Sequence, residues 1–472
     1  MIHDPDTYEL TPWLADDLKK DPKGLWYIFH IRKNVFWHDG KPLTAKDVKF
    51  SFDVIRDDRF ATAHLRPYYE NIKECILLDD HTVKFTVKKK YFGNLNVLAT
   101  LQVAPQHVYG DPKKKVNKKI IGSGPYILAK YHRGKSIILK RNPKWWGNHL
   151  PEFKGQFNFQ KIFIRFIKNE NVRLEMLKKG QLDYLSLTPE AFVKKTEGAI
   201  WTQKIDKIKA ENLAPKSYGF VGWNLKKPLF QDRKVRLALS HLMNREEMNK
   251  KFRYNMSLLA TGPWYRQSVY ADPQVKPLLF NPQKAAQLLS EAGWKDSDKD
   301  GLLDKKINGQ KTPFRFTLMF ANKDSEKYFT MYKEDLRKAG IEMNIKLVEW
   351  NTLVKALDEK KFDAVNLGWG GGSVDLDPKQ IWHSQSAKNG GSNFISYSNK
   401  EVDRLIDLGR QELDKKKRIK IFRKVYRLIA QDAPYTFMFV NKYVLYAKSK
   451  RVKQQKPTYK YEIGEQFWWM EP

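Results

Sequence analysis

The stretch Gly368-Trp369-Gly370-Gly371-Gly372-Ser373-Val374-Asp375-Leu376-Asp377-Pro378 follows a short apolar run, residues 362–367, that predicts a buried strand. Three consecutive glycines allow backbone conformations closed to other residues and let the backbone approach a ligand closely. Two carboxylates and a large aromatic ring lie within a few positions of the glycines. The stretch could therefore hold a cation against an aromatic ring. The alternative is a strand-to-helix turn in which Asp377 only caps the segment that begins at Pro378.

The residues before this loop predict an α/β fold. Residues 314–320 alternate as a strand does, residues 325–338 have helical apolar spacing that ends at Gly340, and residues 341–348 form a strand pattern again. A second helical pattern, residues 352–360, leads into the strand ahead of the glycines. Because parallel crossovers of this kind place ligands at the carboxyl ends of strands, we expect the loop to lie at a binding edge.

The chain has 472 residues, which predicts two or three domains. Lysine and arginine number 87 against 53 acidic residues, a net charge of +34. The lysines are scattered, the longest basic runs, residues 88–90, 113–115 and 415–418, are short, and no helix-turn-helix, zinc-finger or RNP-like pattern is present. We therefore interpret the charge as a generally basic surface, not a nucleic-acid groove; a salt-sensitive polyanion-binding protein is the alternative.

Several function classes lack their signatures. Cys75 is the only cysteine, so no internal disulfide can form. No nucleophile elbow, phosphate loop or zinc-ligand spacing occurs, and Asp375 and Asp377 lack the fixed, opposed placement of a glycosidase pair, so we expect neither an enzyme nor a cofactor or metal centre. No apolar segment is long enough to cross a bilayer, and no signal peptide is present, so an export signal would lie outside this chain.

An acidic repeat resembles part of a calcium loop. The segment Asp296-x-Asp298-x-Asp300-Gly301 matches its opening, but its twelfth position is Ile307 where an EF-hand needs a glutamate. Asp304 could substitute for that ligand, which leaves a weak structural cation site open.

The amino-terminal part predicts two strands, residues 25–31 and 35–37, a turn through Gly40, and a helix that Thr44 caps with Asp47 three residues on. These residues carry a resemblance. The pattern Tyr27-x-Phe29-x-Ile31-Arg32-Lys33-x-Val35-x-Trp37-His38-Asp39-Gly40-Lys41-Pro42-Leu43-Thr44-Ala45-x-Asp47-Val48 resembles the signature of extracellular solute-binding proteins of peptide ABC transporters, the dipeptide- and oligopeptide-binding class.

Later blocks resemble the same family in the same order. They are Gly122-Ser123-Gly124-Pro125-Tyr126, Leu139-x-Arg141-Asn142-Pro143-x-Trp145-Trp146-Gly147, Gly180-x-Leu182-Asp183, Phe230-x-Asp232-x-x-Val235-Arg236-x-Ala238-Leu239, Asn281-Pro282-x-Lys284-Ala285 and Ser392-Asn393-Phe394-x-x-Tyr397-Ser398-Asn399. The resemblance extends from about Leu14 to the end. In this family a strand and loop normally come well before Leu14, so we expect a truncated start or an upstream piece that is supplied separately.

The resemblance implies the two-lobed periplasmic binding protein fold, type II-like and with an extra subdomain, whose lobes are joined by hinge strands and close on a ligand. We expect the extra subdomain at residues 1–115, the first lobe core at 116–220 and 438–472, and the second lobe at 221–437. The chain would cross between lobes through residues 218–224 and return through 437–446.

In the resembled family an aspartate of the Trp-to-Pro loop grips the amino terminus of the ligand. Counting forward from Trp369 reaches Gly372, whereas counting back from Pro378 reaches the neighbourhood of Asp375, and we assign the role to Asp375 with Trp369 as the apolar or cation–π wall. Dipeptide receptors also carry an arginine where this chain has Lys323, which makes longer peptides the expected cargo.

The remaining binding candidates are aromatic and polar residues near the expected cleft, each of which could equally be core packing. The substrate-binding set is Asp375, Trp369, Gly370, Gly371, Gly372, Asp377, Trp223, Asn224, Trp264, Trp382 and Lys323.

The resemblance implies a function. The chain would be the substrate-binding component of a bacterial ABC importer: a periplasmic or extracytoplasmic monomer, free or lipid-anchored, that delivers oligopeptides to permease subunits and does not bind nucleic acid. Cell-wall peptide, oligosaccharide or metal chelate are alternative cargoes on the same fold.

Overall fold

The computed structural model describes residues 1–62, 65–114, 120–388 and 391–471. The chain folds into two compact units: unit 1 comprises Met1–Leu187, Thr196–Asn212 and Leu445–Pro472, and unit 2 comprises Thr188–Lys195 and Leu213–Val444. The boundary expected between residues 115 and 116 and the last lysine of the 113–115 run lie outside the described residues. The lobe boundaries expected from the sequence stay a prediction.

The strands, in chain order, are β1 (Ile2–His3), β2 (Leu10–Thr11), β3 (Ala15–Lys20), β4 (Trp26–Ile31), β5 (Ile72–Asp79), β6 (Thr82–Val87), β7 (Tyr126–His132), β8 (Ser136–Arg141), β9 (Lys161–Arg165), β10 (Tyr184–Ser186), β11 (Ile205–Ala210), β12 (Tyr218–Trp223), β13 (Ser257–Leu259), β14 (Asp304–Ile307), β15 (Gln310–Pro313), β16 (Arg315–Phe320), β17 (Glu342–Leu347), β18 (Ala364–Trp369), β19 (Tyr435–Asn441), β20 (Val444–Ser449), β21 (Val452–Lys453) and β22 (Trp469–Met470).

The α-helices are α1 (Ala45–Arg56), α2 (Arg66–Tyr69), α3 (Asn94–Ala99), α4 (Gln106–Tyr109), α5 (Glu170–Lys178), α6 (Pro189–Lys194), α7 (Ile200–Gln203), α8 (Pro228–Gln231), α9 (Arg233–His241), α10 (Arg245–Arg253), α11 (Pro282–Glu291), α12 (Glu326–Lys338), α13 (Trp350–Asp358), α14 (Lys379–Trp382), α15 (Lys400–Gln411) and α16 (Lys415–Asp432). Short 3-10 helices occur at Trp146–His149, Pro151–Phe153, Lys323–Ser325, Ser384–Ala387 and Glu465–Phe467. In the described part of the chain, none of the helices has both the length and the apolar character required to cross a bilayer.

Unit 1 contains three larger sheets, with strand orders β3-β4-β6-β5, β7-β8-β9 and β10-β20-β11. Phe85 of β6 contacts both Phe29 of β4 and Phe52 of α1, edge to face, in the core of the first sheet. The helix begins as expected, because the Asp47 carboxylate accepts the backbone N–H of Thr44 at 3.1 Å. The expected strand at 35–37 is reduced to one bridge between Phe36 and Pro42.

Unit 2 is built on a six-stranded sheet with the order β13-β19-β12-β18-β16-β17. β16 is parallel to both β17 and β18, whereas β18 is antiparallel to β12. The expected strand-helix-strand-helix-strand run is confirmed as β16, α12, β17, α13 and β18. The second helix starts at Trp350, two residues before the expected Thr352, with Glu349 at the N-cap position.

The core of unit 2 buries aromatic residues against the sheet. Trp223 of β12 packs on Phe316 of β16, and Phe329 and Tyr332 of α12 belong to the same cluster. The Tyr332 hydroxyl donates to the carbonyl of Leu239 at 2.8 Å, so this buried polar group is satisfied. Burial of such side chains, about 1.5–3 kcal/mol each, fixes the position of the strands.

Helices α15 and α16 pack at a glycine. A Cβ on Gly409 of α15 would collide with the ring of Phe422, which is fully buried on α16. The close helix contact therefore depends on the missing side chain, although glycine inside a helix costs about 0.5–1 kcal/mol relative to alanine.

We expect Gly409→Ala to lower the unfolding temperature. The propensity gain of alanine is outweighed by overpacking against Phe422, which costs about 1–3 kcal/mol. Thermal unfolding followed by circular dichroism checks this, with Leu408→Ala as the control because Leu408 is 47% exposed. A Gly409→Ala protein more stable than the native one would contradict the packing argument.

Candidate functional site

A cavity of about 480 Å³ opens in unit 2 where β16 and β18 end. Ala321 and Asn322 follow β16 directly, and Leu367 and Gly368 belong to the end of β18. The described residues that line it are Ser217, Tyr218, Gly219, Arg253, Ala321, Asn322, Ser325, Tyr328, Trp350, Leu353, Asn366, Leu367, Gly368, Met438, Phe439 and Asn441. Its volume lies within the range of about 300–1,000 Å³ typical of ligand sites.

The cavity wall combines aromatic surface with neutral polar groups. Trp350, at the start of α13, is 58% exposed, so much of its ring surface is open to solvent. Asn366 donates from Nδ2 to the carbonyl of Phe220 at 2.9 Å, which fixes its amide at the rim. The lining residues in the described part of the chain include no acidic side chain.

Arg253 is the one cation among those lining residues. Its Nε donates to the Ser257 hydroxyl at 2.6 Å, and its Nη2 donates to the Asn441 amide oxygen at 2.5 Å. The guanidinium also lies over the ring of Phe439, 5.2 Å from the centroid. These partners hold the group in place without neutralising its charge, so Arg253 is equipped to bind an anionic group.

A second cavity in unit 2, of about 200 Å³, surrounds the fully buried Arg245. That guanidinium donates to the carbonyls of Ala260, Phe437 and Leu278. Burial lowers the pKa of Arg245 to about 10. Because three backbone carbonyls accept from its Nη1 and Nη2, Arg245 ties β19 to the surrounding loops. The larger cavity is therefore the candidate ligand site.

The glycine-rich loop follows β18, whose residue Gly368 lines the larger cavity. Gly371 lies against the backbone of Pro215, where any Cβ would collide, and Gly372 has a φ of +59° in the left-handed region. Gly370 has open space around its Cα. Two of the three glycines are therefore required by the course of the backbone.

Asp375 is already engaged by hydroxyl and cationic groups. Its Oδ1 accepts the Tyr270 hydroxyl at 2.7 Å, Nη2 of Arg418 lies 3.8 Å from the same oxygen, and Nζ of Lys415 lies 3.6 Å from Oδ2. Burial raises the pKa of Tyr270, and the Asp375 charge adds to the effect, so the phenol stays a donor. The Asp375 side chain is 29% exposed, so an ammonium group that reached it would compete with these cations.

Asp377 anchors the end of the loop. Its Oδ1 accepts the backbone N–H of Lys379 at 3.0 Å, and its Oδ2 pairs with Nε of Arg410 at 2.8 Å. The side chains are 18% and 9% exposed. The capping role that the sequence left as an alternative is thus present, and the ion pair fastens the loop to α15.

Trp369 and Trp264 support the loop. Trp369 stacks between Phe220 and Phe394, at centroid distances of 6.0 and 5.8 Å. Trp264 is buried and donates from its ring nitrogen to the carbonyl of Leu376 at 3.3 Å. The described residues that line the larger cavity include neither tryptophan and neither loop aspartate.

The other predicted residues are not among the described residues that line the larger cavity. Trp223 and Trp382 are buried in aromatic clusters, and Asn224 donates to the carbonyls of Lys360 and Phe362 at 3.0 and 2.8 Å. Lys323 is exposed in the turn after β16, next to the cavity residue Asn322. The roles of all these residues in binding stay predictions.

The acidic repeat brings three exposed carboxylates together. Ligand atoms of Asp296, Asp298 and Asp300 lie within 4.8 Å of one another. Lys311 pairs with both Asp298 and Asp304, and a hydrogen bond from Ser297 lowers the pKa of Asp304. Asp304 therefore serves the turn itself, and the cation site stays an open prediction.

Sequence reasoning missed Arg253, Trp350 and Asn366. Arg253 is the last residue of an otherwise ordinary basic helix, and no motif distinguishes it from its neighbours. The available signal was positional, since Asn366 belongs to the strand that precedes the loop and Trp350 begins the helix before that strand.

Comparisons with known proteins agree with this fold. Residues 9–392 match the model of the bacterial extracellular solute-binding proteins, family 5 Middle. The chain belongs to this family. Its members are extracellular or periplasmic solute-binding proteins, so the family gives no support for an enzymatic activity.

Individual relatives cover most of the chain. The chain is 32% identical to the oligopeptide-binding protein AppA of Bacillus subtilis over 446 residues, which cover 90% of this chain and 77% of AppA. Its fold matches the structure of that AppA in complex with a nonapeptide, with a TM-score of 0.83, 28% identity, and coverage of 100% of this chain and 93% of the other. NikZ from Campylobacter jejuni in complex with Ni(L-His) shares the fold, with a TM-score of 0.81, 23% identity, and coverage of 99% and 92%.

Proposed function

We propose that this chain is the substrate-binding component of a bacterial ABC importer, which captures oligopeptides outside the cytoplasm and delivers them, as a monomer, to permease subunits. Membership in family 5 and the likeness to AppA with its nonapeptide support the peptide cargo. The cavity at the ends of β16 and β18 supports a ligand site on unit 2.

The observation that carries the proposal is the Arg253 guanidinium in an otherwise neutral wall. Its planar fork fits a carboxylate, and its neutral partners leave the positive charge for the ligand. The free carboxylate of a peptide, at its end or on an acidic side chain, is the group that we assign to Arg253. The apolar surface of Trp350 would cover an adjoining side chain.

Recognition of the peptide amine remains with Asp375 in this proposal. Its carboxylate shares the loop with Trp369 and retains partial exposure. An incoming ammonium group would take over part of the interaction now made by Lys415 and Arg418. Peptide binding would then be an exchange of cations at one carboxylate, which costs less than the creation of a new buried charge.

Arg253→Gln tests the carboxylate assignment. The native protein should prefer a peptide with a free carboxyl terminus over its amidated form, and the variant should lose about tenfold or more of that preference, since a hydrogen bond to a charged group contributes about 1.5–3 kcal/mol. Isothermal titration of both peptide forms measures the ratio. Lys250→Gln, which also replaces a cation of the same helix by glutamine, should keep the native preference for the free carboxyl terminus. If Arg253→Gln keeps that preference as well, Arg253 is not part of the site.

Asp375→Ala tests the amine assignment. The variant should lose binding of a free-amine peptide and keep its fold, because the carboxylate would be the ligand's counter-charge. Titration with the free and the N-acetylated peptide, together with far-ultraviolet circular dichroism, measures both effects. If the folded variant binds the free-amine peptide as tightly as the native protein does, Asp375 serves only to fasten the loop to Arg418.

A further inference from the structure

The smaller cavity of unit 2, about 200 Å³, lies among α9, β19, the end of α16 and the segment 260–278. Its exposed lining residues, Arg233, Lys276 and Gln431, mark the entrance. The inner wall is buried and includes Arg245, which is 3% exposed. An entrance with two cations thus leads to a buried third cation.

Arg245 retains one hydrogen-bond donor. Its Nη1 donates to the carbonyls of Ala260 and Phe437, and its Nη2 donates to the carbonyl of Leu278, so the guanidinium is held in place. Its Nε is buried and has no hydrogen-bond partner among the described residues. Because native proteins rarely leave a buried donor unpaired, the Nε–H is a donor for a ligand in this cavity.

The cavity wall supplies no counter-charge for Arg245, since its lining residues in the described part of the chain include no acidic side chain. The acid next to it in the sequence is Glu246, whose Oε2 accepts the N–H of Phe280 at 3.2 Å. The Glu246 charge offsets only part of the burial effect that lowers the pKa of Arg245. A buried cation is costly without a partner, so an anion in the cavity would stabilise it.

Hydroxyl groups of the inner wall already have partners. Ser240 donates to the carbonyl of Arg236 at 2.9 Å, and its oxygen lies 2.8 Å from the hydroxyl of Thr436. Thr261 accepts from Nη1 of Arg266 at 2.9 Å. Most of the remaining wall is apolar and includes Leu237, Val275, Leu278, Ala430 and Phe437. A wall of this kind fits a carboxylate with an aliphatic chain better than phosphate, which requires several donors.

The volume of the cavity agrees with such a ligand. An apolar cavity of about 150 Å³ can hold benzene, so a cavity of this size has room for a carboxylate of about four carbons. A single chloride ion would leave most of the space unfilled.

We propose that this cavity binds a short-chain monocarboxylate, whose carboxylate accepts the Nε–H of Arg245 and whose aliphatic chain lies against the apolar wall. Arg233 and Lys276 attract the anion to the entrance. In the described part of the chain, this cavity shares no lining residue with the larger one. The site therefore does not depend on the proposed peptide transport.

Sodium butyrate tests the site, with butyramide as a neutral analogue of similar size. Ligand-observed NMR titration should show that the protein binds butyrate at least about tenfold more tightly than butyramide, because only butyrate carries the charge. The unfolding temperature should be higher in butyrate than in sodium chloride at the same concentration, since the ligand binds the folded state. Absence of saturable butyrate binding, equal affinity for the two compounds, or tighter binding of inorganic phosphate would overturn the proposal.

Two variants change the cavity without removing Arg245, which also anchors the backbone. Ala430→Leu extends a side chain in the cavity wall and keeps a good helix former, so it should weaken butyrate binding at least about tenfold. Lys276→Gln removes a charge from the entrance and should weaken butyrate binding about threefold. Lys284→Gln, an exposed lysine that does not line the cavity, is the matched control and should keep the native affinity. Circular dichroism checks that each variant is folded.

Arg253→Gln distinguishes this site from the larger cavity, which also contains an arginine. The variant should bind butyrate with the affinity of the native protein, because Arg253 does not line the smaller cavity. Loss of butyrate binding in Arg253→Gln, together with its retention in folded Ala430→Leu, would place the carboxylate in the larger cavity and overturn the proposal.

Discussion

The placement of β18 between β12 and β16 is the constraint on which the binding edge of unit 2 depends. Because β18 runs parallel to β16, both strands end at the same edge of the sheet, where the cavity opens. Because β12 runs antiparallel to β18, Tyr218 lies opposite Trp369, and the segment before β12 passes under the glycine loop. The backbone contact between Gly371 and Pro215 follows from this pairing. One set of strand pairings thus brings together the cavity, the aromatic stack of Trp369 and the start of the loop.

The distribution of charge at this edge follows from the excess of cations over acids. In a chain with a net charge of +34, the loop carboxylates find basic partners within unit 2: Asp377 pairs with Arg410, and Asp375 lies beside Arg418 and Lys415. Partly buried pairs of this kind hold a loop in one conformation, although their net contribution to stability is small. Arg253, by contrast, has neutral partners. The charge of the cavity therefore favours an anionic group of the ligand. Asp375 can bind a ligand amine only if that amine displaces Lys415 or Arg418.

The sequence predicted local structure well and the binding cavity poorly. Period-two and helical spacing predicted β16, α12 and β17, and a short apolar run predicted β18, because these patterns lie within the residues of each element. The sequence could not show whether Trp223 and Trp369 contact a ligand or pack in the core. Their surroundings depend on elements that are distant along the chain. Arg253 was missed for the same reason: its position depends on Asn441, a residue of β19 that lies 188 positions away. The glycines were predictable as a loop, whereas the need for Gly371 depends on Pro215.

The central claim is that the chain carries peptides, and the contents of the gently purified protein test it most directly. Native mass spectrometry of the intact protein, followed by denaturation and identification of what is released, measures the cargo without a choice of probe. The account predicts a ladder of short peptides of defined length that dissociates from the folded protein and is depleted in the Arg253→Gln variant. A sugar or a metal chelate in their place would contradict the peptide assignment while retaining the fold. Copurifying nucleic acid that persists at high salt would contradict the transport account altogether.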